Sequence, residues 1–348
     1  MYILLALLGL VILPLMVMVI IGAVLSGPRY RGPVTDHFDG SKFLNPGKVK
    51  AEGGLAVLKW MFTRKPGPWA ETKTENFGKH PLAHFKGGIR ITFINHSSFL
   101  IQMDGVNILT DPVWSKRVSP FTWSGPKRMR PPGLRFGDLP RIHVVLLTHN
   151  HYDHLDVQTM RMVWVSHHPQ IIVPLGVKRF LDKNHIGAAF EMDWWQEIQL
   201  ENKLTINCVP AQHFSGRGLL DRDATLWCGY VITTTAGRIY FAGDTGYNEN
   251  TFKEIARRFA PFKLSMIPIG AYKPKWFMSP IHVSPEEAVK IHLDVKSETS
   301  IGMHFGTFPL ADDGGDDPKN DLNEALYNYK IAREEFLILQ EGEARVFE

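Results

Sequence analysis

Apolar and polar positions change pattern twice along the chain. Tyr2 to Leu25 is an uncharged apolar run that contains Gly9, Pro14 and Gly22. About 20 apolar residues cross a bilayer core, so the run predicts a transmembrane helix. A signal peptide, cut near Ala23-Val24-Leu25-Ser26-Gly27, would start with a positive charge and have a shorter core. Residues 26–88 lose the apolar pattern and are rich in Gly, Pro and Lys. They read as a linker and lid that packs partly on the rest, because Trp60, Phe62 and Trp69 are unsuited to a disordered chain. From residue 89 period-two alternation begins: Ile89, Ile91 and Phe93 against Arg90 and Thr92, then Phe99 and Ile101 against Leu100 and Gln102. Asp104-Gly105 predicts a hairpin between strands there.

Short apolar runs at 142–147, 171–174, 204–209, 225–233, 238–242, 264–269 and 300–303 predict further strands. Helical spacing covers 157–165 and 177–183. Ser284-Pro285-Glu286-Glu287 combines an N-cap, a first-turn proline and a capping-box glutamate, which predicts a helix to about Asp294. Asp321 predicts the start of a last helix through about Arg333. Strands mixed with helices make this an α/β chain without internal repeats. The expected parts are a membrane helix over 1–25, a basic linker over 26–88 and a catalytic domain over 89–348.

Charge sharpens the first of these. The 348 residues carry a formal net charge of +4, but residues 26–90 hold 12 Lys and Arg against 5 Asp and Glu. A basic segment beside an apolar one suits an anionic membrane surface. Arg29 and Arg31 follow the run directly, so the positive-inside rule predicts a single-pass anchor with the catalytic domain on the cytoplasmic side. The two cysteines, Cys208 and Cys228, are too few for a disulfide framework and form no C-x-x-C pair.

The chemistry concentrates in Thr148-His149-Asn150-His151-Tyr152-Asp153-His154-Leu155-Asp156, between a predicted strand and a predicted helix. Imidazoles and carboxylates are good ligands for zinc and similar ions, and four of them in six residues suggest two metals. His213, Asp244 and His304 each follow another apolar strand. His213 could complete a site with His149 and His151, and His304 one with Asp153 and His154. Asp244 could bridge both, since paired ions sit about 3.5–4 Å apart, within the span of one carboxylate. Asp111, also at a strand end, reads either as a turn cap or as a group orienting a ligand histidine. Lys127, Arg128 and Arg130 lie in a loop-forming stretch that could line a site for an anionic substrate. Trp276-Phe277-Met278, beside Lys273 and Lys275, reads as a membrane lip or as core.

These motifs resemble the metallo-β-lactamase superfamily, and more closely its N-acyl-phosphatidylethanolamine-hydrolysing phospholipase D-like members. The likeness runs from about Asn95 to Glu348. It includes Asn95-His96-Ser97-Ser98, Leu109-Thr110-Asp111-Pro112, the 148–156 turn, Gln212-His213, Gly243-Asp244-Thr245-Gly246 and His304-Phe305-Gly306-Thr307. It implies an αββα sandwich with two divalent ions, zinc expected, held by His149, His151, Asp153, His154, His213, Asp244 and His304. The family's pocket histidine falls on His282. Asp153, Asp244 and His282 are therefore the expected catalytic residues. Animal members carry a glutamine just before that histidine, where this chain has Ile281. The implied activity is phosphodiester cleavage of phospholipase D type on a membrane phospholipid, with no nucleic-acid partner. The alternative on the same scaffold is a lactonase, or a phosphodiesterase acting on a soluble or nucleic-acid substrate.

Overall fold

A computed structural model of the chain describes residues 2–348 except 76, 188, 202 and 203; at 2–11, 14 and 15 it describes the backbone alone. The helices are α1 (Tyr2–Leu25), α2 (Leu55–Thr63), α3 (Val157–His167), α4 (Lys178–Lys183), α5 (Glu249–Phe259), α6 (Lys275–Met278), α7 (Pro285–Asp294) and α8 (Asp317–Tyr329).

Two seven-stranded sheets carry the site. In the first, β1 (Ile89–Asn95), β2 (Ser98–Met103) and β3 (Val106–Thr110) form an antiparallel meander. β4 (Val144–Leu146), β5 (Gln170–Pro174) and β6 (Ala189–Met192) then add in parallel. The second repeats that plan. β7 (Glu197–Gln199), β8 (Thr205–Val209), β9 (Gly229–Thr234) and β10 (Gly237–Phe241) are antiparallel. β11 (Phe262–Pro268), β12 (Ser297–Met303) and β13 (Phe336–Leu337) continue in parallel. β14 (Ala344–Phe347) returns to pair antiparallel with β1.

The local signals explain most elements. Asp104 and Gly105 both take positive φ, the two-residue turn that matches strand twist. Asp156 caps α3 by accepting from the Gln158 amide at 3.2 Å. The Ser284–Glu287 capping box is formed in full at the start of α7. Ile91, Phe93, Ile101 and Ile108 from the first sheet share one buried cluster with Ile206, Ile232, Phe241 and Met266 from the second. Val145, Ile171 and Val173 face the other way, onto Met160 and Val163 of α3 and Leu181 of α4. Phe252, Ile255, Val289 and Leu322 bring α5, α7 and α8 onto the second sheet. The result is the expected α/β sandwich, with β3 parallel to β4 and β8, β10, β11 and β12 running one way. Their carboxyl ends therefore lie on one edge.

Several expectations need correction. Residues 225–228 are not strand, and β9 starts at Gly229. The last helix begins at Asp317, with Pro318 in its first turn, and stops where Lys330 turns left-handed. Asp321 therefore sits inside it.

The predicted membrane crossing is not supported: among the described residues no helix is long and apolar enough to cross a membrane. Part of that expectation falls on side chains outside the described residues. The carboxyl end of α1 is also engaged with protein, since the Leu219 amide donates to the Gly22 carbonyl at 3.1 Å and the Gly27 amide to Asp221 at 2.7 Å. The cytoplasmic placement inferred from the crossing loses its ground with it.

Phe277 and Met278 are core, packed with Ala271, Ile281 and Ala311, and Trp60 of α2 stacks on Phe277 at 5.0 Å. Only Trp276 of that trio is exposed. Lys127, Arg128 and Arg130 are clamps. Lys127 pairs with Glu71 and Arg130 with Asp316, while Arg128 donates to the carbonyls of Val113 and Ser115.

Candidate metal centre

The site is assembled from turns that leave the strands at this edge. His149, His151, Asp153 and His154 come from the turn between β4 and α3, and Asp111 from the end of β3. His213 follows β8, Asp244 follows β10 and His304 follows β12. His96 comes from the β1–β2 connection. The two sheets are tied together here, for the His304 amide donates to the His96 carbonyl at 2.9 Å and the Cys228 amide to the Thr148 carbonyl at 3.0 Å. His96, Asp111 and His304 all adopt positive φ. Such backbone costs about 1–3 kcal/mol per residue and clusters where a site over-determines the chain. Gly243 is required as glycine. Its φ is +63°, and a Cβ would stand 2.7 Å from the Cys228 carbonyl oxygen and 2.9 Å from Thr148.

All seven residues expected as ligands converge. In one half, His149 Nε2 lies 2.9 Å from His151 Nδ1, which lies 3.2 Å from His213 Nε2. In the other half, Asp153 Oδ2 lies 3.4 Å from His154 Nε2 and 3.3 Å from His304 Nε2. Asp244 Oδ2 stands between the halves. It is 3.1 Å from His304, 3.2 Å from His154, 3.7 Å from His213 and 3.9 Å from His149, each measured to Nε2.

This donor set fits a metal better than it fits itself. The His154 Nε2 and Asp244 Oδ1 atoms are buried without a hydrogen-bond partner, although carboxylate oxygen approaches His154 closely. His154 Nε2 and Asp244 Oδ2 are 3.2 Å apart yet make no hydrogen bond, which suits atoms aimed at a shared third position. The ring nitrogens of His149 and His213, 2.9 and 3.2 Å from His151 Nδ1, likewise stand where one ion could meet all three.

Electrostatics divide the halves. Burial alone would raise the Asp244 and Asp153 carboxyls, but the charge of His154 and the close approach of the His304 imidazole hold both well below the usual range. Burial also opposes charge on His304, yet Asp244 and Asp153 outweigh it and push that imidazole up to about 9. His154 is likewise raised against its burial, by Asp244, Asp153 and Asp111. On the imidazole-rich side burial dominates: His149 and His213 lie well below the ordinary value, and His151 is lowered to about 4. Neutral imidazoles are the form that binds a metal.

Supporting contacts set the rings. Asp111 accepts from His154 Nδ1 at 2.7 Å and is itself held by the Thr148 amide at 2.8 Å and hydroxyl at 2.7 Å. That is the orienting role, and it fixes which nitrogen of His154 faces Asp244. His213 Nδ1 is held by the Ile281 carbonyl at 2.9 Å. The atypical residue 281 thus serves through its backbone. His282, the expected pocket histidine, is buried with its ring centroid 5.0 Å from His213 and 5.2 Å from His304. Its Nδ1 has no partner, and burial lowers its pKa to about 4.

Two participants carried no assignment in the sequence. His96 Nε2 lies 3.0 Å from Asp153. Its only signal was membership of the Asn95-His96-Ser97-Ser98 motif. Arg217 donates to the carbonyls of Asn150 and Leu155 at 2.8 and 3.0 Å and lies 3.8 Å over the Tyr152 ring. It thereby clamps the 149–154 turn. A cavity of about 410 Å³ opens beside it onto His151 and Asp153, bounded by Phe214, Leu310 and Arg222.

Two packed mixed sheets with a histidine–aspartate cluster at one edge define a metallo-β-lactamase-type fold. The chain belongs to the β-lactamase superfamily: the family model described as "Beta-lactamase superfamily domain" matches residues 106–305. It is 40% identical over 237 residues to "N-acyl-phosphatidylethanolamine-hydrolyzing phospholipase D 1" of Caenorhabditis elegans, covering 65% of this chain and 66% of that one. It is 35% identical over 236 residues to the mitochondrial "N-acyl-phosphatidylethanolamine-hydrolyzing phospholipase D" of Saccharomyces cerevisiae, covering 66% of this chain and 50% of the relative. The matched part thus spans between half and about two-thirds of these relatives. The fold is shared with a "possible metal-dependent hydrolase" from Veillonella parvula, at a TM-score of 0.61 and 15% identity, over 75% of this chain and 100% of the other.

Proposed function

We propose that the chain is a metal-dependent hydrolase that holds two divalent ions, zinc by donor type, and cleaves a phosphodiester in phospholipids of the N-acyl-phosphatidylethanolamine kind. The observation that carries the reading is Asp244: one carboxylate oxygen within 4 Å of ring nitrogens from four histidines on three separate turns. His149, His151 and His213 would hold one ion, Asp153, His154 and His304 the other, with Asp244 shared. Bound ions would supply Lewis acidity and lower the pKa of water.

The chain's own residues do the rest. Asp111 and the Ile281 carbonyl fix the ring orientations of His154 and His213, so that the ligand nitrogens face inward. His282 stays neutral and offers a free ring nitrogen beside the cluster. Arg217 keeps the turn closed under the cavity through which substrate would enter. In the overall reaction, water oxygen bonds to phosphorus while the bond from phosphorus to the ethanolamine oxygen breaks. One water proton ends on that leaving oxygen, and phosphatidate and an N-acylethanolamine are released.

Support for a lipid comes from the two named relatives and from exposed apolar surface. Leu55, Leu58 and Phe62 stand on one face of α2, whose Lys59 lies 4.7 Å over the exposed Trp276, and Phe62 is 87% exposed. Their i, i+3, i+7 spacing makes an apolar stripe. Met16 to Ile21 and Val24 of α1 are exposed as well. Such faces suit contact with an acyl boundary. The test is direct: the purified chain, with its metals, is given N-acyl-phosphatidylethanolamine in vesicles. Metal-dependent release of both products supports the reading, and their absence from a protein carrying two ions overturns the substrate.

A further inference from the structure

Four cations surround a cavity away from the metal cluster. It measures about 240 Å³ and is lined by Pro28, Arg29, Arg31, Arg179 and Lys183. The chain brings them from two places. Arg29 and Arg31 follow the end of α1, and Arg179 and Lys183 stand four apart on α4, hence on one face. The segment that carries the first pair is fixed, since the Gly27 amide donates to Asp221 at 2.7 Å and the Tyr30 amide to the Ala224 carbonyl at 2.9 Å. No acidic side chain lines the cavity. Among the described residues none of the four cations makes an ion pair, and Asp182 of α4 is engaged by Lys178 at 3.3 Å. Arg29 reaches only neutral acceptors, the Leu220 carbonyl and the Ser41 hydroxyl. Like charges gathered around one concavity repel each other unless an anion joins them, and guanidinium groups favour phosphate oxygens.

We propose that this cavity is a binding site for a phosphate-bearing anion, and that its source is the headgroup of an anionic membrane phospholipid. The location decides the source. Arg29 lies four residues beyond Leu25, the last residue of α1, whose Met16 to Ile21 and Val24 are exposed and apolar. An apolar helix face leading into a cationic cavity is the order of groups met on passing from acyl chains to headgroups. The site deepens the lipid reading above by naming a headgroup that is bound and not cleaved. It would hold the protein on an anionic surface while the metal cluster works on its substrate.

The test compares the full chain with Arg179→Gln/Lys183→Gln, a variant of two exposed residues outside the metal cluster. Binding is measured by flotation with phosphatidylcholine vesicles, with or without phosphatidylserine, at constant ionic strength. The wild type should bind the phosphatidylserine vesicles more tightly than the neutral ones. Losing two cations should cut that excess by about 20- to 30-fold, with binding to neutral vesicles and the melting temperature unchanged. An excess that survives in a folded variant overturns the proposal. So does a melting temperature that inorganic phosphate raises in the wild type and not in the variant, if both bind the two vesicle types alike, because the site then serves a soluble anion. Hydrolysis of substrate in neutral detergent micelles should be equal in the two proteins. If neither hydrolyses while the variant still loses its binding excess, the hydrolase reading fails and the headgroup site stands.

Discussion

Asp244 Oδ2 has four histidine nitrogens within 4 Å, and that crowding makes it the residue on which the two halves of the site depend. Asp244→Asn keeps the shape and removes the charge. Metal content should fall below that of the wild type and turnover by about 10³-fold or more, since both halves lose a ligand; elemental analysis alongside initial rates reads both. Asp111 acts one contact further out, through His154 Nδ1. Asp111→Asn should lower metal affinity by about 10- to 100-fold, as for other partners of ligand histidines, while excess metal should restore much of the rate. A rate that excess metal fails to restore would place Asp111 in the chemistry itself. The seven residues proposed as ligands were legible as candidates because their spacing is local or marks a strand end. His96 and Arg217 were not, because each acts only across long sequence distances, 57 residues to Asp153 and 67 to Asn150.

At the scale of elements, the apolar pattern located β1–β5 and β8–β12, most of whose positions are buried, and side-chain signals marked the turn at Asp104-Gly105 and the cap at Ser284–Glu287, while the short or exposed β6, β7, β13 and β14 went unread. It missed α5, although Asn248 caps it and Phe252, Ile255 and Ala256 are its buried face. It could not divide Trp276-Phe277-Met278, since three adjacent apolar residues have no period to separate core from surface. Helix α2 resolves that case. Its Trp60 face covers Phe277, and its Leu55, Leu58 and Phe62 face is bare. Leu58→Ser/Phe62→Ser should therefore weaken activity on vesicles and spare a short-chain soluble phosphodiester. Phe277→Ala should cost about 3–5 kcal/mol of stability and reduce both activities, which thermal melts and paired assays would show.

The segment before α2 is tied on by charge as well as packing. Phe38 and Phe43 enter the main core, and His37 lies between Asp36 and Asp193 at 2.5 and 2.7 Å, stacked 4.5 Å from Trp194. Burial opposes protonation of His37, but the hydrogen bonds and charges of Asp193 and Asp36 prevail and raise its pKa. A raised folded-state pKa stabilises below the unfolded value of about 6.5 and loses that contribution as pH climbs through the folded value. The stability advantage of the wild type over His37→Gln should accordingly be larger near pH 6 than near pH 8. An advantage that is unchanged or grows with pH would show that the imidazolium is not what holds the segment.

For the whole molecule, two sheets of seven strands place several carboxyl ends on one edge, and turns of otherwise unrelated sequence meet there. That the chain is α/β, and which strand ends matter, follow from alternation and from the ligand residue types. How α1 relates to a bilayer does not, because hydropathy counts the apolar residues of 2–25 without registering that the last turn engages the 218–221 loop. The central claim, two ions held by seven side chains through one shared aspartate, is tested most directly by counting metal. Protein purified without chelator and measured by elemental mass spectrometry should carry about two divalent ions per chain. One ion or none per chain, with hydrolytic activity intact, would contradict it.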